Sequence, residues 1–350
     1  MAAAQPILSI QYLRGVAALM IVLYHLGLPL ARLGHGGDWP EGLRHGVDLF
    51  FVISGFIMVV ATRDPALTPG TFLLRRFLRI APLYYVLTGF LLVVFAIRPA
   101  LLQSFVFEWP HVLASFAFWP ATHPVTGEAE PVLIPGWTLQ YEMFFYLLFA
   151  LAMPAGRWSL AALAAMFLAL VGLGQMLQGG VAFTFFTAPL ILQFLMGVAL
   201  GRAHERGWLT PGAAGRRWRW AVAAGAALAM AALVFLPPAL PGPWAALESG
   251  AWASVIVGAL VWLERAEWMP DWRWLLLAGD ASYAIYLSHP SVLSAMQQGW
   301  QRAGLPPDLI TFGVAAVFAS VAVGLFLHAA VELPLRRRLR RPAPQRSSIA

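Results

Sequence analysis

The sequence predicts an all-α, polytopic integral membrane protein of about ten transmembrane helices with N- and C-termini in the cytoplasm. Three observations predict it. Hydrophobic residues make up 60% of the chain and charged residues only 11%, and mean hydropathy is +0.72. Apolar stretches long enough to cross a bilayer recur from one end of the chain to the other. All 23 basic residues are arginines, and most fall between those stretches. With 350 residues the chain has room for the spans and short connections but for no soluble catalytic domain, so any chemistry belongs in the membrane or at its faces.

The expected spans follow in order. The first, 8–30, is an apolar run interrupted by Arg14 and His25, and without a basic region or cleavage site before it, it is expected to be retained. The second, 46–62, is almost continuously apolar after Asp48. The third, 80–98, follows a short amphipathic stretch carrying Arg75, Arg76 and Arg79. The fourth, 137–154, opens on Trp137 and contains Glu142. Ala- and Leu-rich segments give 159–177, 183–201, 219–236 and 250–264; Pro237-Pro238 closes the seventh. The ninth, 274–290, ends on His289-Pro290, and the tenth covers 309–332. Residues 101–119, broken by Glu108-Trp109-Pro110-His111, read as a half-buried or re-entrant segment.

An N-terminus in the cytoplasm puts Arg63, Arg75, Arg76, Arg79, Arg157, Arg202, Arg206, Arg216, Arg217, Arg219, Arg265, Arg273 and the tail inside. Arg32, Arg44, Arg98 and Arg302 then fall outside, which satisfies the positive-inside bias. The net charge of +7 is thus accounted for by orientation, and no nucleic-acid partner is expected. The absence of cysteine excludes thiol chemistry and disulfides. One domain is expected over 1–335, followed by a basic, disordered cytoplasmic tail, 336–350, whose arginines suit anionic membrane lipids.

The embedded polar residues separate by depth. Arg14, Arg76 and Arg79 lie near the inner face, whereas His25, Asp48, Glu142 and His289 lie toward the outer one. Arg14 and His25, eleven residues apart, return to nearly the same helix face about three turns along, and ionisable groups held at membrane depth mark functional sites. Arg76 and Arg79 share a face and suit a phosphate ligand through bidentate hydrogen bonds; lipid-headgroup anchoring is the plainer use of the same pair. Glu142 is expected at the depth of His25, where a carboxylate could orient the imidazole, and Asp48 lies close in sequence to the same outer region. His289 is either a cap of the ninth span or a substrate contact; Trp137 and Tyr146 are further candidates for substrate contact. His35 and His45 are expected in a solvated loop. Gly197 and Gly201 suggest close helix packing, His328 and Glu332 a structural pair. No His/Asp/Glu spacing resembles a metal site.

A basic inner mouth and an outer imidazole suggest group transfer from a phosphate-bearing cytosolic donor to an acceptor on the other side. His25 could act as general base for a hydroxyl or carry the acyl group for one step. The same buried His, Asp and Glu would also serve a proton-coupled transporter or flippase, for which internal pseudo-symmetry is the missing signature.

Five ordered motifs resemble the membrane acyltransferase 3 family: Arg14 to His25, Gly46-Val47-Asp48-Leu49-Phe50-Phe51-Val52-Ile53-Ser54-Gly55-Phe56, Arg76-Phe77-Leu78-Arg79, Gly136-Trp137-Thr138-Leu139-Gln140-Tyr141-Glu142-Met143-Phe144-Phe145-Tyr146, and Ser282-Tyr283-Ala284-Ile285-Tyr286-Leu287-Ser288-His289. The second and fourth are most similar to the exopolysaccharide O-acetyltransferase branch. The resemblance implies an O-acyltransferase of the bacterial inner membrane that takes an acyl group, usually acetyl from acetyl-CoA, and places it on a carbohydrate hydroxyl, free or lipid-linked. It further implies that His25 is the essential histidine with Arg14 as its partner, that Arg76 and Arg79 serve the donor, and that Glu142 is the acidic residue of the fourth-span motif. Homo-oligomerisation is compatible with all of this.

Overall fold

The computed structural model describes residues 7–335 apart from 36, 65, 103, 104, 213, 214 and 307. The expected basic tail, 336–350, lies outside the described residues. Thirteen α-helices are present among them: α1 (Leu8–Arg32), α2 (Gly46–Ala61), α3 (Pro69–Ile97), α4 (Trp109–Phe116), α5 (Gly136–Ala152), α6 (Ser159–Met176), α7 (Val181–Phe186), α8 (Leu192–Glu205), α9 (Arg219–Phe235), α10 (Ala245–Arg265), α11 (Arg273–Asp280), α12 (Ser282–Arg302) and α13 (Leu309–Leu327). No strand occurs among the described residues, and the protein is an all-α membrane protein.

Among the described residues eight helical segments are long and apolar enough to cross a bilayer, where the sequence suggests ten. One of the eight, Gly136–Met176, is 41 residues long, about 60 Å of helix and twice a bilayer core. It breaks at Gly156, whose φ of 56° is open to a residue without Cβ, so α5 and α6 are read as two crossings. The other difference is α12, whose Ser282, Ser288, His289, Gln297 and Gln298 lower its apolarity. Reading α12 as a crossing too restores the expected number.

Boundaries depart from the sequence reading in several places: the expected ninth span, 274–290, divides at Ala281 into α11 and α12, and α12 runs on to Arg302, so His289 lies inside a helix and does not cap one. Arg75, Arg76 and Arg79 do not sit on a separate stretch: α3 starts at Pro69, capped by Thr68 accepting from the Thr71 N–H at 3.3 Å, and runs unbroken through Pro82. The sixth span is split by Pro189 into α7 and α8. Among the described residues of 101–119 only the eight of α4 are α-helical, about 12 Å and too short to cross.

Between lipid-bathed helices there is little hydrophobic drive to associate, so close packing and interhelical hydrogen bonds decide which helices meet. Helices α2 and α8 touch backbone to backbone. A Cβ at Gly55 would lie 2.0 Å from the Phe194 carbonyl oxygen, and one at Gly197 2.0 Å from that of Val52. Helix α1 runs through the centre of the bundle against α2, α10, α11, α12 and α13. Its first N–H groups, at Leu8 and Ser9, are each capped at 2.8 Å by the Glu264 carboxylate from the end of α10, which satisfies donors left over by the helix and complements its dipole. That fixed start sets the depth of Arg14 and His25.

Candidate active site

Two cavities lie back to back along α1. The first, about 80 Å³, is lined by Arg14 of α1, Arg76 and Arg79 of α3, Ser54 of α2, and Glu142 and Tyr146 of α5. Glu142 accepts hydrogen bonds from Ser54 Oγ at 3.2 Å and from the Tyr146 hydroxyl. The Arg76 guanidinium lies over the Phe72 and Tyr146 rings, 5.7 Å and 6.0 Å from their centroids, a cation–π seating that holds it without a carboxylate partner. Its buried Nε has no hydrogen-bond partner among the described residues. Three guanidiniums around one carboxylate leave the pocket cationic and suited to a polyanion.

The second cavity, about 760 Å³, is lined among others by His25, Arg32, Arg44, His45, Asp48, Trp137 and His289. His25 projects into it and is exposed there. Its Nδ1 lies 3.0 Å from the Ile21 carbonyl and 3.2 Å from Nε2 of His289. His289 is fully buried, with Nδ1 2.6 Å from the Tyr286 carbonyl. A carbonyl only accepts, so His289 carries its proton on Nδ1 and presents a lone pair at Nε2. That lone pair and the Ile21 carbonyl both call for a proton on His25 Nδ1. His25 Nε2 is then the unprotonated nitrogen, the form a general base requires.

Asp48 stands elsewhere on the same cavity. Its carboxylate accepts from His45 Nδ1 at 2.9 Å, from Ser249 Oγ at 2.7 Å and from Gln193 Nε2, tying α2 to α8 and α10. The cavities are separated by little more than Val47 and Tyr286, which line both. The Tyr286 ring is held in place: its hydroxyl donates to the Pro135 carbonyl at 3.2 Å and accepts from Thr138 at 3.0 Å.

The candidates from sequence therefore fall into two groups. Arg14, Arg76, Arg79, Glu142 and Tyr146 meet at one cavity, and His25, Asp48, Trp137 and His289 at the other. Glu142 does not reach His25, because α5 turns it toward Ser54 and the arginines. Asp48 does not hydrogen-bond His25 either, because three other donors occupy its oxygens. The neighbour that does reach His25 is His289. Sequence reasoning passed over His45, expected in solvent but half-buried against Asp48, and Tyr286, the wall between the cavities. The three-residue spacing of Tyr286 and His289 on one helix was the signal for that wall. Among the described residues no group of three or more His, Asp or Glu side chains could hold a metal ion.

A family model described as "Acyltransferase domain" matches residues 7–329. The chain is 37% identical over 304 residues to "Exopolysaccharide production protein ExoZ" of Rhizobium meliloti (strain 1021), an alignment covering 84% of this chain and 89% of that protein. It is also 43% identical over 75 residues, 20% of this chain and 36% of the relative, to "Protein 2 in picA locus" of Rhizobium radiobacter. No solved structure matches significantly. The motifs, the helical architecture and a family match over nearly the whole chain agree: this protein belongs to the membrane acyltransferase 3 family.

Proposed function

We propose that the protein transfers an acyl group, acetyl in the first instance, from cytosolic acyl-CoA to a hydroxyl of an exopolysaccharide-type carbohydrate on the outer side of the bacterial inner membrane. The observation that carries this reading is the pair of cavities meeting at Val47 and Tyr286, guanidiniums around one and an imidazole in the other. Arg14, Arg76 and Arg79 would bind the CoA phosphates, and the narrow arginine-lined pocket suits the thin arm that carries the thioester. In the outer cavity His25 Nε2 takes the proton of the acceptor hydroxyl as its oxygen attacks the thioester carbonyl. The carbon–sulfur bond then breaks, the ester is released, and the proton passes to the departing thiolate. His289 and the Ile21 carbonyl hold the imidazolium formed on the way, as an orienting partner does in other His-dependent acyl transfers. The arginine-rich end of the bundle faces the cytoplasm in this reading.

Two measurements test it. His25→Ala is expected to abolish transfer of labelled acetyl from acetyl-CoA to surface glycan while leaving the detergent-purified protein folded. CoA is expected to raise the thermal midpoint of the wild-type protein and to lose that effect in an Arg76→Gln/Arg79→Gln double variant. Acetylated glycan from cells carrying only the His25 variant would overturn the assignment.

A further inference from the structure

A buried hydroxyl in the arginine-lined cavity stands without a partner. Ser282, at the first position of α12, is fully buried and lines that cavity with Arg14, Arg76 and Glu142, yet among the described residues nothing hydrogen-bonds its Oγ. A serine inside a helix commonly satisfies itself by donating to the carbonyl four residues back. Ser115, Ser254, Ser288 and Ser320 do so here at 2.7–2.8 Å. Ser282 follows the turn at Ala281, which interrupts the helix behind it, and makes no such bond. A buried hydroxyl is unfavourable while unpaired, so one held in a cavity wall calls for a ligand. Its place is fixed from two sides. The end of α11 is drawn against α1, where a Cβ at Gly279 would lie 2.0 Å from the Gln11 carbonyl oxygen. The start of α12 is tied to α3 by the Tyr283 hydroxyl, which donates to the Ile80 carbonyl at 2.6 Å.

Ser282, Tyr286 and His289 recur at helical spacing and share one face of α12. Tyr286 is the wall between the cavities, and Ser282 precedes it by one turn, about 6 Å along the axis on the arginine side. We propose, resting on the acyltransferase reading above, that Ser282 Oγ donates a hydrogen bond to the amide carbonyl nearest the sulfur in the pantetheine arm of the acyl donor. A thioester carbonyl brought up to the wall, with His25 beyond it, leaves the arm trailing back toward the guanidiniums. Along an extended arm that amide carbonyl follows the thioester carbonyl by roughly 6 Å, the depth at which Ser282 stands. The methylenes between them offer the hydroxyl nothing to bond, and the phosphates belong with the guanidiniums. Ser282 thus reads the arm, not the anionic head, and sets how far the donor advances toward His25.

Titration calorimetry on purified full-length protein in detergent tests this with CoA, with a CoA analogue whose amide nearest the sulfur is replaced by methylenes, and with the phosphorylated adenosine diphosphate head of CoA lacking the arm. Wild-type protein is expected to bind CoA about threefold to tenfold more tightly than the analogue, the worth of one neutral hydrogen bond. Ser282→Ala is expected to weaken CoA by the same factor while leaving the analogue and the isolated head unchanged. Ser282→Thr, which keeps a hydroxyl, is expected to retain part of the preference. Equal binding of CoA and the analogue by the wild type overturns the proposal. So does a Ser282→Ala variant that weakens both alike, which makes the residue structural, or one that weakens the isolated head, which moves the contact to a phosphate. A variant that loses acyl transfer with CoA affinity intact moves the contact to the thioester and overturns it as well. If Ser282→Ala fails to fold, Ser282→Cys, of similar shape but a weak donor, takes its place, and the wild-type comparison stands on its own. Absence of CoA binding by the wild type sinks the acyltransferase reading itself, whereas CoA binding indifferent to the amide sinks only this proposal.

Discussion

Nε2 of His289 stands 3.2 Å from Nδ1 of His25, and this contact, with the Tyr286 carbonyl behind it, decides which nitrogen of His25 carries the proton. His289→Ala removes that acceptor and lets the His25 ring rotate or change tautomer. The expected outcome is a fall in kcat of about 100-fold with KM for acyl-CoA unchanged, because the arginine-lined pocket is untouched. His289→Gln, whose amide oxygen can accept from Nδ1, is expected to recover part of the loss. A proportional change in both constants, or no recovery, would make His289 a packing residue only.

Glu142 lines the arginine-bearing cavity that we assign to the donor, and its substitution is expected to show there. Among the described residues it is the one carboxylate lining a cavity with three guanidiniums, so Glu142→Gln leaves like charges facing one another away from bulk water. The variant is expected to melt at lower temperature without CoA and to gain more stabilisation from CoA than the wild type does. Tyr146→Phe keeps a ring under Arg76 and loses only the hydrogen bond to the Glu142 carboxylate, about 2 kcal/mol. Thermal midpoints with and without CoA check both.

How far the sequence carried depended on whether an interaction was local. Arg14 and His25 lie on one helix, and their spacing alone placed them on a common face. The arginine pair on α3 was equally local. Glu142 was misplaced because depth along a helix is legible while the identity of the neighbouring helix is not; α5 packs on α3 and α2, which brings Ser54 and the arginines to it. His289 is 264 residues from His25, and no periodic signal joins them. The start of α3 was missed because hydropathy tracks the lipid-facing part of a helix and is blind to the capped, charged turns before it. The ninth span was ended too early, at Pro290, whereas α12 runs on to Arg302, by the reverse effect: buried polar residues such as Gln297 depress the apolarity by which a span is recognised.

The segment between α4 and α5 should respond to acid. His123 is buried and its Nδ1 accepts from the Val125 and Thr126 N–H groups, both at 3.2 Å. Burial, and then the neighbouring His111, lower its pKa from the ordinary 6.5. The unfolded loop takes the proton more readily than the folded one, so this contribution to stability is complete above pH 6.5 and is lost progressively as pH falls below it. Glu130 acts with opposite sign: burial raises it above its ordinary 4.5, a penalty present at neutral pH and relieved as it protonates. Backbone amides around 122–130 are expected to lose hydrogen-exchange protection between about pH 7 and about pH 5.5, more steeply in Glu130→Gln, which lacks the offsetting group. Protection that stays flat in both proteins would rule out a neutral, hydrogen-bonded His123.

Tyr286 stands where the two cavities meet, and transfer without waste requires that it yield to the thioester but not to water. Its ring packs on Phe50, 5.7 Å between centroids, and its hydroxyl is fixed by Pro135 and Thr138, so the resting wall is closed. Tyr286→Ala would merge the cavities and let water of the outer cavity reach the donor carbonyl. Acyl-CoA hydrolysis in the absence of acceptor is expected to rise about tenfold while transfer to carbohydrate falls, since exclusion of water is what protects a reactive acyl donor. Tyr286→Phe keeps the ring and gives up only the two hydrogen bonds, so hydrolysis should rise far less. Free CoA release and acylated product, followed in the same assay, separate the two effects. A Tyr286→Ala variant that transfers normally and hydrolyses no faster would mean that the acyl group crosses by a route other than this wall.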